Sequence, residues 1–208
     1  MSRSMLSRLF SWFRPASISE VKDTDENDRL EAGAHVDDDW YRFMIFGYKP
    51  HGDSLEDILW LKRIDFDTKH DFIQWMFPNR SASPINPLAP RLEDKHLALY
   101  KFSGELRKQV GRSIAKFLRF LGIEEVGGEL VRTGNYEKGF QYWVCRFDHN
   151  HKRISRLLTF LCEIGEREQA EVLLSYLERE LAAHDLLGIE AVPYWRAIMT
   201  TPVAGVSR

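Results

Sequence analysis

A chain of 208 residues with 44% hydrophobic and 12% aromatic residues carries enough apolar surface for a substantial core, which excludes a natively disordered chain. A formal net charge of only −2 excludes a whole-chain electrostatic footprint for nucleic acid or an anionic membrane, so either partner would need a local patch. Cys145 and Cys162 are too few for a disulfide framework and wrongly spaced for a zinc motif; they point to a reducing, cytoplasmic compartment. No apolar run approaches the roughly 18 residues that suggest a membrane-spanning helix.

Residues 1–14 alternate Arg3, Arg8 and Arg14 with Leu6, Leu9, Phe10, Trp12 and Phe13. This pattern suits a short basic amphipathic helix, docked on the protein's own core or resting peripherally on a membrane, and it lacks the features of a secretory signal. An acidic linker follows through residue 36, and the compact domain is expected from about Asp37. Trp40, Phe43, Met44 and Phe46 supply its first apolar anchors. Ser54 and Asp57 stand at capping-box spacing before a short helix with Leu55, Ile58, Leu59 and Trp60 on its apolar face. A second helix is predicted from an Asp67 N-cap through Phe72, Ile73, Trp75 and Met76, ending before Pro78.

Pro78, Pro84, Pro87 and Pro90 make a long ordered loop. The strongest helix begins near Ser103, where Leu106, Val110, Ile114, Phe117, Leu118 and Leu121 recur at three- and four-residue steps, and Gly122 stops it. Residues 122–134 form a Gly-rich connector with a brief strand at Leu130 and Val131. Tyr136, Phe140, Trp143 and Val144 stripe a short helix despite Gly139 within it. Ile154, Leu157, Leu158 and Leu161 stripe another, closed by Gly165. A long helix carries Ala170, Leu173, Leu174, Leu177, Leu181 and Leu186 to Gly188, and Pro193 opens a last one with Trp195 and Ile198. The expected fold is all-α, a single-domain irregular helical bundle with long Pro-rich and Gly-rich connectors. It divides into an N-terminal segment and linker at 1–36, the helical domain at 37–200 and a tail at 201–208.

Four segments carry a family likeness: Leu55-Glu56-Asp57-Ile58-Leu59, His70-Asp71-Phe72-Ile73-Gln74-Trp75-Met76-Phe77-Pro78, Asn135-Tyr136-Glu137-Lys138-Gly139-Phe140, and His149-Asn150-His151-Lys152-Arg153-Ile154-Ser155-Arg156. In this order they resemble the conserved region of the opioid growth factor receptor family, in a compact form like its prokaryotic relatives. Phe72 stands where the family has Tyr, Gly139 where it has Arg, and Tyr142 where it tends to have Asn. Vertebrate members are described as peptide receptors, so the resemblance implies a non-enzymatic module that binds a peptide or protein partner.

Two constellations stand out from the residues themselves. Cys145, His149, His151 and Cys162 are metal-ligating types, but their spacing fits no common zinc motif, and neither a metal nor another cofactor is expected. His149, His151, Lys152, Arg153 and Arg156 crowd a predicted helix start, where the macrodipole disfavours cations by about 0.3–1 kcal/mol each. Something negative is therefore expected nearby: either Asp148 as a cap with carboxylates from another helix, or a bound anion held by His149, Asn150, Arg153 and Arg156. The second possibility admits nucleic acid as an alternative partner, with affinity that falls steeply with salt. Asn135 and Tyr136 join the candidate ligand-binding residues, as do His70, Gln74 and Trp75, which read either as a polar pair bracing a buried Trp or as a pocket wall. No nucleophile elbow, P-loop or dinucleotide fingerprint is present, which leaves an enzyme with little direct support.

Overall fold

The computed structural model of the chain describes residues 37–50 and 52–202. The elements run α1 (Asp39–Ile45), α2 (Leu55–Trp60), α3 (Arg63–Thr68), α4 (Ile73–Met76), α5 (Asp94–Phe102), α6 (Gly104–Phe120), β1 (Ile123–Val126), β2 (Glu129–Arg132), α7 (Tyr136–Phe140), α8 (Asn150–Glu163), α9 (Arg167–Ala182) and α10 (Ala191–Thr200). The described chain is mostly helical, as expected, with one antiparallel hairpin among its described residues. Two compact units divide it, Met1–Ile114 and Ala115–Arg208, and α6 runs across the boundary. The basic segment 1–14, the acidic linker and residues 203–208 of the tail lie outside the described residues.

In the first unit, Asp38 caps α1 by accepting the Tyr41 N–H at 2.9 Å, and Trp40, Phe43 and Met44 are buried. Trp40 Nε1–H donates to the Trp75 carbonyl at 3.0 Å, which ties α1 to α4. The capping box heading α2 is present: Ser54 Oγ accepts the Asp57 N–H, and the Asp57 carboxylate accepts the Ser54 N–H. Leu55 and Ile58 are buried, but Trp60, expected on the same face, is 79% exposed. Two residues beyond Ile58 is about 200° of helical turn, so Trp60 points outward, and its ring N–H donates to Glu56.

The helix expected from an Asp67 cap is instead two short ones. Arg63–Thr68 takes Asp67 into its last turn, and Lys69 then turns extended before α4 begins at Ile73. An Asp side chain caps only where the preceding backbone is non-helical, a condition that α3 removes. The Pro-rich segment contains turns and bends without helix or strand, and its base is closed by the Leu92 N–H donating to the Asn79 carbonyl. Asn86, buried inside it, donates to the Asp71 carbonyl at 2.9 Å. Helix α5, which the apolar pattern does not announce, buries His96, Leu99 and Tyr100. Ser103 turns extended after it, and its hydroxyl caps α6 by accepting the Leu106 N–H.

In the second unit, Phe117, Leu118 and Leu121 are buried and Gly122, at φ +83°, ends the α6 segment in the left-handed conformation glycine favours. The connector contains a full hairpin, with Ile123 opposite Arg132 and Val126 opposite Glu129. The expected strand at Leu130 and Val131 is its second arm. Helix α7 stops at Phe140, so Trp143 and Val144 are buried from a run of turns rather than from a helical stripe. Helices α8, α9 and α10 pack on one another. They bury Ile154, Leu157, Leu158 and Leu161 from the first, Leu173, Leu177 and Leu181 from the second, and Val192 and Trp195 from the third. Helix α9 ends at Ala182, before Leu186, and the left-handed residue that follows is Asp185 (φ +56°) rather than the expected Gly188.

Candidate functional site

Within the second unit, the start of α8 and one face of α10 enclose an open groove of about 1000 Å³. Ala191, Tyr194, Ala197 or Ile198, and Thr201 recur at three- and four-residue steps, so α10 presents them together, and the two alanines recess that face. From α8 come His151, Lys152 and Ser155 at the matching spacing. The helices are pinned beside the groove by Trp195, whose Nε1–H donates to Ser155 Oγ at 3.0 Å. Phe147 and Tyr194 stand 74% and 70% exposed at the rim, large apolar surface that nothing among the described residues covers.

His151 lines this groove although only 7% of it is exposed. Its Nε2 lies 2.7 Å from the Trp143 carbonyl, which can only accept, so the ring proton of the neutral imidazole sits on Nε2. Nδ1 is then an acceptor. It has no hydrogen-bond partner among the described residues and is not sealed off, and the residue that carries it lines the groove.

The residues expected to hold an anion at the start of α8 are not brought to one surface. Asn150 and Arg153 are interior, 0% and 4% exposed, and Arg153 Nη1 donates to Asn150 Oδ1 at 3.1 Å. Arg156 is half-buried; burial pulls its guanidinium below the ordinary range, and the Glu163 charge opposes that. His149 is exposed, with Nδ1 3.4 Å from the Asp148 carboxylate. Asp148 Oδ1 accepts the Asn150 N–H at 2.7 Å, so the negative group that the helix start calls for is supplied by the chain itself. Among the described residues no three His, Cys, Asp or Glu side chains are grouped to hold a metal.

Tyr136 is a strut. Its hydroxyl donates to the Glu180 carboxylate at 2.6 Å, Arg132 donates to the same oxygen through Nε and Nη2, and the guanidinium lies over the Tyr136 ring at 4.4 Å. Burial would raise the Glu180 carboxyl, but the hydrogen bonds from Arg132 and Tyr136 outweigh it and hold the group below its ordinary range. Asn135, beside it, is exposed. In the first unit His70 is exposed and precedes α4, so the four-residue helical pairing expected with Gln74 does not form. Gln74 is buried with Oε1 unbonded among the described residues, and Trp75 is buried against Phe43 and Tyr48.

Residues 36–200 match the family defined as the opioid growth factor receptor (OGFr) conserved region. The chain belongs to this family. It is 34% identical to the opioid growth factor receptor of Rattus norvegicus over 146 residues, 67% of this chain and 25% of that protein. It is 28% identical to opioid growth factor receptor-like protein 1 of Mus musculus over 138 residues, 64% of this chain and 29% of the relative. The chain therefore spans between a quarter and a third of the length of these relatives. No solved structure matches.

In this opioid growth factor receptor domain the four segments that carry the resemblance fall on α2, on α4 with its flanks, on α7 and on the start of α8. Sequence reading missed the α10 wall of the groove and a buried network in the first unit. There the Glu93 N–H donates to His96 Nδ1 at 2.9 Å, which leaves the ring proton on Nε2 to donate to Asp38 Oδ2 at 2.9 Å. Lys95 joins the same oxygen at 2.8 Å. Burial would raise the Asp38 carboxyl, but its bonds from His96, Lys95 and the Tyr41 N–H win and hold it well below the carboxylate range. Only the three-residue step from Glu93 to His96 hinted at this network. No described helix is long and apolar enough to cross a membrane.

Proposed function

We propose that this domain is a peptide- or protein-binding module and that its partner lies in the groove between the start of α8 and α10. The observation that carries the reading is the groove itself: about 1000 Å³, floored by alanines and bordered by exposed Phe147 and Tyr194. Concave, mostly apolar sites with a few placed polar groups are where ligands bind, and aromatic residues are the usual anchors of a partner. The relatives are named as receptors, which is in keeping with a ligand or protein partner. Cytoplasmic placement, expected from two free cysteines, belongs to the same proposal.

The anion- or nucleic-acid-binding alternative has less support, since Asn150 and Arg153 are enclosed and Asp148 occupies the helix start. A catalytic role draws no support from the Asp38–His96 pair, which is buried with its bonds directed to structural neighbours. The test is site-specific photocrosslinking in the native cells with a benzophenone side chain at position 194, and with one at exposed Glu168 as control. The proposal expects defined protein or peptide adducts from position 194 alone. Equal or absent crosslinking at the two positions would reject it.

A further inference from the structure

Resting on the reading that the groove is where a partner binds, we infer that it selects an acidic peptide segment. A backbone N–H of the segment donates to His151 Nδ1, an apolar side chain lies between Phe147, Tyr194 and Ile198, and its carboxylates face Arg146 and Lys152.

At the groove His151 Nδ1 has no hydrogen-bond partner among the described residues. His151 is 93% enclosed, its Nε2–H is spent on the Trp143 carbonyl, and its edge is set against the Trp195 ring at 5.8 Å. In the neutral imidazole Nδ1 accepts, so the group that lies opposite it donates. A phosphodiester has no hydrogen to give, whereas a peptide presents an N–H at every residue but proline. The apolar lining on either side suits a side chain next to that N–H.

Charge then narrows the class. The two carboxylates at the groove are both placed at helix starts: Asp148 precedes α8 and accepts the Asn150 N–H, and Glu190 is the N-cap residue of α10, where the macrodipole favours negative charge. Lys152, by contrast, sits in the first turn of α8, where the dipole disfavours a cation, and Arg146 stands exposed just before it. Neither cation has an ion-pair partner among the described residues. A ligand carboxylate is the group that would complete both, and in a peptide it comes with the N–H that the acceptor nitrogen of His151 calls for.

A phage library of short random peptides is panned against the full chain, and the enriched peptide is synthesised for fluorescence anisotropy. The comparison set is wild type, the double variant Arg146→Glu with Lys152→Glu, and Ala197→Trp, which fills the groove from an exposed position. Single- and double-stranded oligonucleotides run in parallel. Acidic peptides with an aliphatic or aromatic residue are expected. The double charge reversal should weaken them about tenfold or more while strengthening their Lys-for-Glu counterparts. N-methylation of one backbone position should cost wild type about tenfold and abolish the shift of the His151 imidazole nitrogen NMR signal on binding. Basic or uncharged peptides blocked by Ala197→Trp would overturn the acidic class while leaving the groove as the binding site. Peptides indifferent to Ala197→Trp would overturn both, as would an empty selection or salt-sensitive binding of the oligonucleotides instead.

Discussion

Replacing Gly139 by Ala sets two opposed effects against each other. Within a helix Ala is favoured over Gly by about 1 kcal/mol, and Gly139 is not among the residues in the left-handed region, so propensity alone predicts a more stable protein. The packing predicts the reverse. A Cβ at this position would meet Gly122 N at 2.3 Å, Gly122 Cα at 2.5 Å and Leu121 C at 2.5 Å, where ordinary contact begins at 3.4 Å. All three are backbone atoms, so no side chain can swing aside, and α7 would have to withdraw by about 1 Å. The turn it presses on is held from other directions. Gly122 N–H donates to the Arg119 carbonyl, its own carbonyl accepts the Thr133 N–H at 2.9 Å, and Trp143 Nε1–H donates to the Leu121 carbonyl at 3.0 Å. Overpacking of a well-fixed site costs roughly 1–3 kcal/mol, and a backbone-on-backbone clash belongs at the upper end. Subtracting the propensity gain leaves a net loss of about 1–2 kcal/mol. Urea unfolding followed by circular dichroism and Trp fluorescence should show a lower midpoint with unchanged slope. Gly134→Ala, which meets nothing within 4 Å, is the control. A Gly139→Ala midpoint at or above that of wild type would refute the reasoning.

Further expectations follow from the buried hydrogen bonds. Tyr136→Phe deletes the 2.6 Å donor to Glu180 and should cost about 1–3 kcal/mol in the same urea assay; a change below about 0.5 kcal/mol would show that Arg132 alone satisfies the carboxylate. Ser54→Ala removes the hydroxyl that caps α2 and should cost about 1 kcal/mol, with Ser54→Asp largely restoring it; equal stability of all three would show that the cap carries no weight. Asp38 and Glu180 both have folded-state values below their unfolded ones, so each contributes stability that is complete above the unfolded carboxylate range. That contribution is lost as pH falls from about 5 through the folded values. Asp38→Asn with Glu180→Gln should therefore flatten the acid limb of stability against pH between about pH 5 and 2 while lowering the plateau near pH 7, and an acid limb as steep as wild type would contradict it.

What the residues announced and what they concealed divide by range. The stripe from Leu106 to Leu121, the Ser54–Asp57 box and the stop at Gly122 depend on neighbours within a few residues, and each is found where the spacing puts it. Helix α5 escaped notice because the residue it buries first is His96, whose partner Asp38 lies 58 positions away. Asp67 misled for a related reason: its capping chemistry is real, but the chain before it is already helical, with Phe66 turned into the core. At the candidate site the basic run from His149 to Arg156 was plain to see, yet period 3.6 distributes it around α8, sending Arg153 inward and Lys152 outward. The other wall of the groove comes from α10, some forty residues later in the chain, and the accepting role of His151 Nδ1 is set by a carbonyl at Trp143. No local pattern encodes either.

The hairpin after α6 has a consequence for how this chain can fail. Two four-residue strands form only a marginal ribbon, and the register set by the Gly127–Gly128 turn, with both glycines at positive φ, is reinforced from outside it. A second lock is external: Arg132 grips Glu180 on α9, and a slipped ladder would swing that guanidinium to the far side and turn Leu130 out to water. A charge pair forty-eight positions apart in sequence thus holds the second arm of the ribbon to α9, and its removal should show first as conformational heterogeneity in the ribbon, before any general unfolding.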